Sequence, residues 1–198
     1  MSRRRVLRTL AATVFVPLAA CSNDKGPSFQ STDITGADFG HELKLTGHDG
    51  KPRALTDFAG RAVVVFFGFT HCPDICPTAL AKLSTVVKAL GPDGERVQVL
   101  LVTVDPERDT AEVLRQYVTA FHPTFLGLTG TPDEVTRVTK EFRVIAEKQP
   151  GATPDSYSVD HSSGMFVYDP KGRLRLYVAG NQTTAAIEQD LKLLLGGA

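Results

Sequence analysis

Two unbroken apolar runs, Val63 to Phe69 and Val97 to Val104, stand out in the first half of the chain. Apolar runs of this length without polar alternation predict strands buried on both faces of a covered sheet. Between them the period changes: Leu80, Leu83, Val87 and Leu90 recur at helical spacing and predict a helix directly after the first strand. The second strand ends in Asp105-Pro106. Asp109 then reads as the start of a second helix, with Glu112 three residues on as in a capping box. Thr131-Pro132-Asp133-Glu134 opens a third, with proline at the first helical position. Met165 to Tyr168 and Leu174 to Val178 flank Pro170-Lys171-Gly172 and predict a hairpin. A last helix carries Ile187, Leu191, Leu194 and Leu195. Gly47-His48-Asp49-Gly50 is turn chemistry and predicts a small hairpin within residues 41–60.

The order of strand, helix, strand, helix, hairpin and helix implies parallel crossovers followed by an antiparallel hairpin. The predicted architecture is α/β, a mixed sheet flanked by helices on the thioredoxin-like plan. A chain of 198 residues suits one such domain, with length to spare for a leader or tether.

The spare length lies at the N-terminus. Arg3, Arg4, Arg5 and Arg8 precede a short apolar run from Val6 to Pro17, which ends in Leu18-Ala19-Ala20-Cys21. The run falls well short of the roughly 20 apolar residues that span a bilayer, but it has the three regions of a secretory signal. Its ending resembles a bacterial lipobox, which makes Cys21 the candidate lipidated residue. Ser2 to Arg8 also resembles a twin-arginine signal, leaving the general and twin-arginine export routes both open. The expected division is a leader over residues 1–20, a lipid-anchored polar tether over 21–40 and a folded body over 41–198. Export implies a periplasmic address, where disulfides are permitted. Removing the four leader arginines leaves 18 basic against 22 acidic residues. An acidic body offers no basic footprint, so nucleic acid is set aside as a partner.

The chemistry concentrates in Cys72-Pro73-Asp74-Ile75-Cys76-Pro77, directly after the first buried strand. If a helix begins near Pro73, Cys72 sits at its cap and Cys76 one turn on, with Cα atoms roughly 6 Å apart. The unpaired N–H groups and positive dipole end there favour thiolate over thiol. Such a pair can bind a soft metal or close a disulfide. A metal needs a third ligand, and the candidates are His41, His48, His71, His122 and His161. His161 precedes the strand Met165 to Tyr168, and in a thioredoxin-like fold that entering loop lies beside the cysteine loop. Asp160 is then a candidate hydrogen-bond partner of the ligand imidazole. Two thiolates and one imidazole suit Cu(I), and a further nitrogen or weak oxygen ligand would accommodate Cu(II), whereas structural zinc wants a fourth strong ligand.

These residues resemble the Sco/SenC family of copper-binding, thioredoxin-like assembly factors of cytochrome c oxidase. The resemblance rests on Phe66 to Pro77 (FFGFTHCPDICP), Asp105 to Thr110 (DPERDT), Phe125 to Gly130 (FLGLTG) and Asp160-His161-Ser162, and it covers roughly residues 35 to 195. It implies copper ligands at Cys72, Cys76 and His161. It also implies a role in delivering copper to the dinuclear site of oxidase subunit II, or in reducing that site's cysteines before loading. Periplasmic copper donors or thiol reductants are the further partners it implies.

Two rival activities use the same residues. A general thiol-disulfide oxidoreductase would use Cys72 and Cys76 without copper, but their Cys-x-x-x-Cys spacing differs from the Cys-x-x-Cys of thioredoxin redox sites. The proline that such enzymes carry before the facing strand is also absent from Asp160 to Gly164. A peroxiredoxin-like peroxidase wants a single low-pKa cysteine with a nearby Arg and Thr. Thr70 and the downstream arginines supply these, but the second thiol at four residues fits poorly.

Overall fold

The computed structural model describes residues 28–152 and 156–198. The leader and Cys21 lie outside the described residues. In chain order the elements are β1 (Thr32–Asp33), β2 (Lys44–Gly47), β3 (Pro52–Ala54), β4 (Ala62–Gly68), α1 (Ile75–Ala89), β5 (Val97–Thr103), α2 (Ala111–Phe121), β6 (Leu126–Thr129), α3 (Pro132–Glu141), β7 (Ala146–Gln149), β8 (Ser158–His161), β9 (Met165–Tyr168), β10 (Leu174–Val178) and α4 (Thr184–Leu195).

Eight strands form one sheet in the order β1-β10-β9-β4-β5-β6-β2-β3. The parallel core is β4, β5 and β6, with Phe66 opposite Leu101 and Leu101 opposite Gly127. The hairpin β9–β10 adds antiparallel to β4, and β2–β3 adds antiparallel to β6. The expected N-terminal hairpin is therefore an extension of the main sheet. Every residue of β4 and β5 is buried, as their unbroken apolar sequences require.

Alternation along β4 sorts the two faces. Val65 and Phe67 point to the side where Phe67 meets Phe142, which follows α3, at 5.1 Å between ring centroids. Phe66 and Gly68 point to the side of α1, and a Cβ at Gly68 would lie 2.7 Å from the Cys76 sulfur. Alpha-helical cover on both faces confirms the mixed thioredoxin-like architecture.

Two boundaries differ from expectation for physical reasons. Asp109 does not cap α2. Thr110 does, its hydroxyl accepting from Val113 N–H, while Asp109 turns into the interior. The folded body also begins before residue 41. Thr32 pairs with Tyr177, and the backbone N–H groups of Gln30 and Ser31 donate to the buried Asp190 carboxylate at 2.7 and 2.8 Å. α3 starts with Pro132 at its first position as expected, and the capping box forms here rather than at α2, with Thr131 and Glu134 satisfying each other's backbone N–H groups.

Candidate metal centre

β4 ends at Gly68, and Phe69 to Asp74 form a loop before α1 begins at Ile75. Helix onset is thus later than the sequence suggests, placing Cys72 in the loop and Cys76 in the first helical turn. Asp74, at the N-cap position, makes no side-chain capping bond. Cys72 supplies the acceptor instead, its Sγ lying 3.4 Å from the backbone nitrogen of Cys76. A sulfur there sits at the positive end of the helix.

Cys76 behaves differently from expectation. It has no solvent exposure, and burial pushes its thiol well above the ordinary range. Loss of hydration outweighs the helix terminus for this sulfur. Both Cys72 and Cys76 are free thiols.

His161 closes the site from the other side, as the last residue of β8 rather than as part of a loop. β7 and β8 form a two-stranded sheet of their own, with Ala146 opposite His161. The imidazole Nε2 lies 3.4 Å from Cys76 Sγ, and Nδ1 lies 3.0 Å from the Ser162 carbonyl. A carbonyl only accepts, so Nδ1 carries the hydrogen and the Nε2 lone pair faces the sulfur. Burial lowers the His161 pKa and keeps the ring neutral. Phe66 and Phe69 present ring edges to it at 6.2 and 5.8 Å.

Asp160 is exposed, and strand alternation turns it to the opposite face of β8 from His161. Asp160, the candidate partner of the imidazole in the sequence, is therefore not its hydrogen-bond partner; Nδ1 bonds to the Ser162 carbonyl. The influence of Asp160 on His161 is through-space charge, which favours the protonated ring.

The other histidines lie elsewhere. His48 Nδ1 accepts from Gly127 N–H at 3.0 Å, His122 Nδ1 meets the Thr124 hydroxyl, and His71 Nδ1 lies 3.2 Å from the Thr70 hydroxyl. His41 is exposed, with its backbone N–H bonded to Glu141.

Cys72, Cys76 and His161 bring their donor atoms within 4.8 Å of one another, the only such group of three among the described residues. Two sulfurs and one imidazole nitrogen, with no fourth strong ligand in that group, match the preferences of a soft monovalent ion better than those of structural zinc. The polar residues behind the site were not legible from the sequence. Asp109, Thr70, Asp105, Arg108 and Tyr157 form a hydrogen-bonded network between the two ligand-bearing segments. The available signal was three acidic residues, Asp105, Glu107 and Asp109, in one short loop after a buried strand.

A family model described as SCO1/SenC matches residues 31–196. The mitochondrial protein SCO2 homolog of Mus musculus is 39% identical over 153 residues, covering 76% of this chain and 60% of its own length. The chain thus spans about 60% of that mammalian relative. The structure of Bradyrhizobium japonicum ScoI with copper bound superposes with a TM-score of 0.72 at 36% identity, over 78% of this chain and 98% of that one. A SCO1/SenC family lipoprotein from Bacillus anthracis gives a TM-score of 0.70 at 25% identity, over 84% and 99% of the two chains.

Proposed function

Because this chain belongs to the SCO1/SenC family, we propose that it takes up one copper ion through Cys72, Cys76 and His161 and delivers it to the dinuclear copper site of cytochrome c oxidase subunit II. The observation that carries the proposal is the convergence of two free thiols and a correctly oriented neutral imidazole within 4.8 Å. The copper-bound relative supports the choice of metal.

Unequal burial of the ligands gives transfer a direction. Cys76 is fully buried, whereas Cys72 is part-exposed in its loop. An acceptor thiolate reaches the metal from the Cys72 side, and ligand exchange starts there while Cys76 and His161 still hold the ion. The two exposed large hydrophobic residues among those described each adjoin a ligand-bearing segment. Ile75 precedes Cys76, and Ile145 bonds to Ser162, next to His161: its carbonyl accepts from the Ser162 N–H and its own N–H donates to the Ser162 hydroxyl oxygen.

Thiol chemistry at the same pair is the second function, favoured by the proximity of the two free sulfurs. Cys72 would attack a partner disulfide, and Cys76 would then release the reduced partner by closing the Cys72–Cys76 disulfide. Two electrons pass from this chain to the partner. That exchange makes no use of His161, the third donor of the cluster, which ranks metal delivery first.

The leader supports export and lipid attachment at Cys21 on the periplasmic side of the membrane, in keeping with the related lipoprotein. The proposed tether is short, because the chain already bonds to the body at Gln30. No helix among the described residues is long and apolar enough to cross a membrane.

Copper-loaded protein mixed with the reduced, metal-free copper domain of oxidase subunit II tests the proposal. Copper is expected to appear on the acceptor. Retention on the donor, with disulfide reduction when the oxidised acceptor meets copper-free protein, would instead establish the thiol role.

A further inference from the structure

The hairpin that carries His161 is a separate two-stranded sheet, and Cys72 sits in a loop outside any helix or strand. A lone two-stranded hairpin is marginally stable in water. A metal site whose ligands come from two such segments needs something to fix them relative to each other.

The segment from Asp105 to Asp109, which joins β5 to α2, touches both. Asp105 and Asp109 have no solvent exposure. A buried carboxyl group is costly unless hydrogen bonds or a cation satisfy it. Asp109 accepts from the Thr70 N–H at 3.1 Å, the Thr70 hydroxyl at 2.6 Å and the Thr103 hydroxyl at 2.7 Å. Thr70 stands two residues before Cys72. Asp105 accepts from the Tyr157 hydroxyl at 2.7 Å and from Arg108 Nε at 2.5 Å. Arg108 also donates to the Tyr157 carbonyl at 3.0 Å, with its guanidinium 3.7 Å from the Tyr157 ring centroid. Tyr157 leads into β8, four residues before His161. Lys148 of β7 adds an ion pair with Glu107 at 2.7 Å. The segment is braced internally, since Asp109 N–H donates to the Asp105 carbonyl at 2.9 Å.

We propose that the Asp105–Asp109 segment is a positioning bracket for the metal site. Its Asp109 end fixes the Cys72 arm through Thr70, and its Asp105–Arg108 end fixes the His161 arm through Tyr157. The bracket rests on the three-ligand copper site proposed above and adds to it the residues that hold its geometry. Phe69 lies between the two arms, 5.9 Å from the Arg108 guanidinium and 5.8 Å from the His161 ring. None of the bracket residues is a ligand. They act by restricting where the sulfur and the nitrogen can be.

Thr70→Val and Tyr157→Phe each remove one hydroxyl from part-exposed positions and keep the side-chain shape, which spares the fold. Cu(I) affinity, measured by competition with a chromogenic chelator, is expected to fall about 10–100-fold in each, the range for losing a residue that orients a ligand. Thr70→Ser keeps the hydroxyl and is expected to bind like the unaltered protein. On the metal-free protein, the rate of cysteine alkylation by iodoacetamide is expected to rise in Thr70→Val but not in Tyr157→Phe, because only the first frees the Cys72 arm. Unchanged affinity and alkylation in Thr70→Val, or equal defects in Thr70→Ser and Thr70→Val, would overturn the Cys72 arm. Unchanged affinity in Tyr157→Phe would overturn the His161 arm. Should the unaltered protein bind no copper, the proposed function fails, while the alkylation rates still decide whether the bracket restrains Cys72.

Discussion

Cys76→Ser is expected to lower copper affinity by about 1,000-fold or more, equivalent to at least ~4 kcal/mol, while leaving the fold in place. Serine is close to cysteine in shape, so the first turn of α1 and the contact beneath Gly68 survive the change. What is lost is the donor. A hydroxyl oxygen is a hard, neutral ligand, whereas the thiolate is soft and charged. Cys76 also stands at the centre of the cluster, touching Cys72 through its backbone nitrogen and His161 through its sulfur, each at 3.4 Å. Its loss therefore leaves the other two ligands without the group that links them. Chelator competition reads the affinity, and circular dichroism checks the fold. Retained tight binding would place the metal elsewhere.

Phe67→Ala is expected to destabilise the protein by about 3–5 kcal/mol, the range for removing a fully buried aromatic side chain. Phe67 has no exposure and meets Phe142 at 5.1 Å and Phe166 at 6.2 Å, while those two meet each other at 5.3 Å. The cluster ties the central strand β4 to β9 and to the end of α3. At roughly 2–4 °C per kcal/mol for a domain of this size, the melting temperature should drop by about 10 °C. Thermal denaturation measures it, and a shift of only a degree or two would mean that this face of the sheet collapses to fill the void. Phe67 lies on the face of β4 away from Cys76, so copper affinity below the transition should change little.

The core strands were legible because burial on both faces leaves no polar positions. Val63 to Phe69 and Val97 to Val104 predict β4 and β5 to within a residue at each end. β7 and β8 carried no such signal. Their sequences, Ala146-Glu147-Lys148-Gln149 and Ser158-Val159-Asp160-His161, are largely exposed and lack apolar alternation, since they pair only with each other. His161 was nonetheless found, because the thioredoxin-like order places the start of β9 beside the end of β4. The partner of its imidazole was missed for the opposite reason: which way Asp160 points depends on a strand that the sequence does not announce. Asp109 shows how local and long-range demands compete. It has the right chemistry for a helix cap, but Thr110 beside it serves equally well, and the hydroxyls of Thr70 and Thr103 claim Asp109 for the interior. Helix onset at Ile75 rather than Pro73 reflects similar competition, with Cys72 held back in the loop and Pro77 tolerated within the first turn.

Copper stoichiometry of the reduced body, measured by metal analysis and titration alongside its His161→Ala variant, addresses the central claim most directly. The expected result is one copper per chain, with affinity weakened by about 100-fold or more in the variant, since His161 supplies the third donor. No tight copper in the unaltered protein, or equal affinity in the variant, would contradict a site built from Cys72, Cys76 and His161.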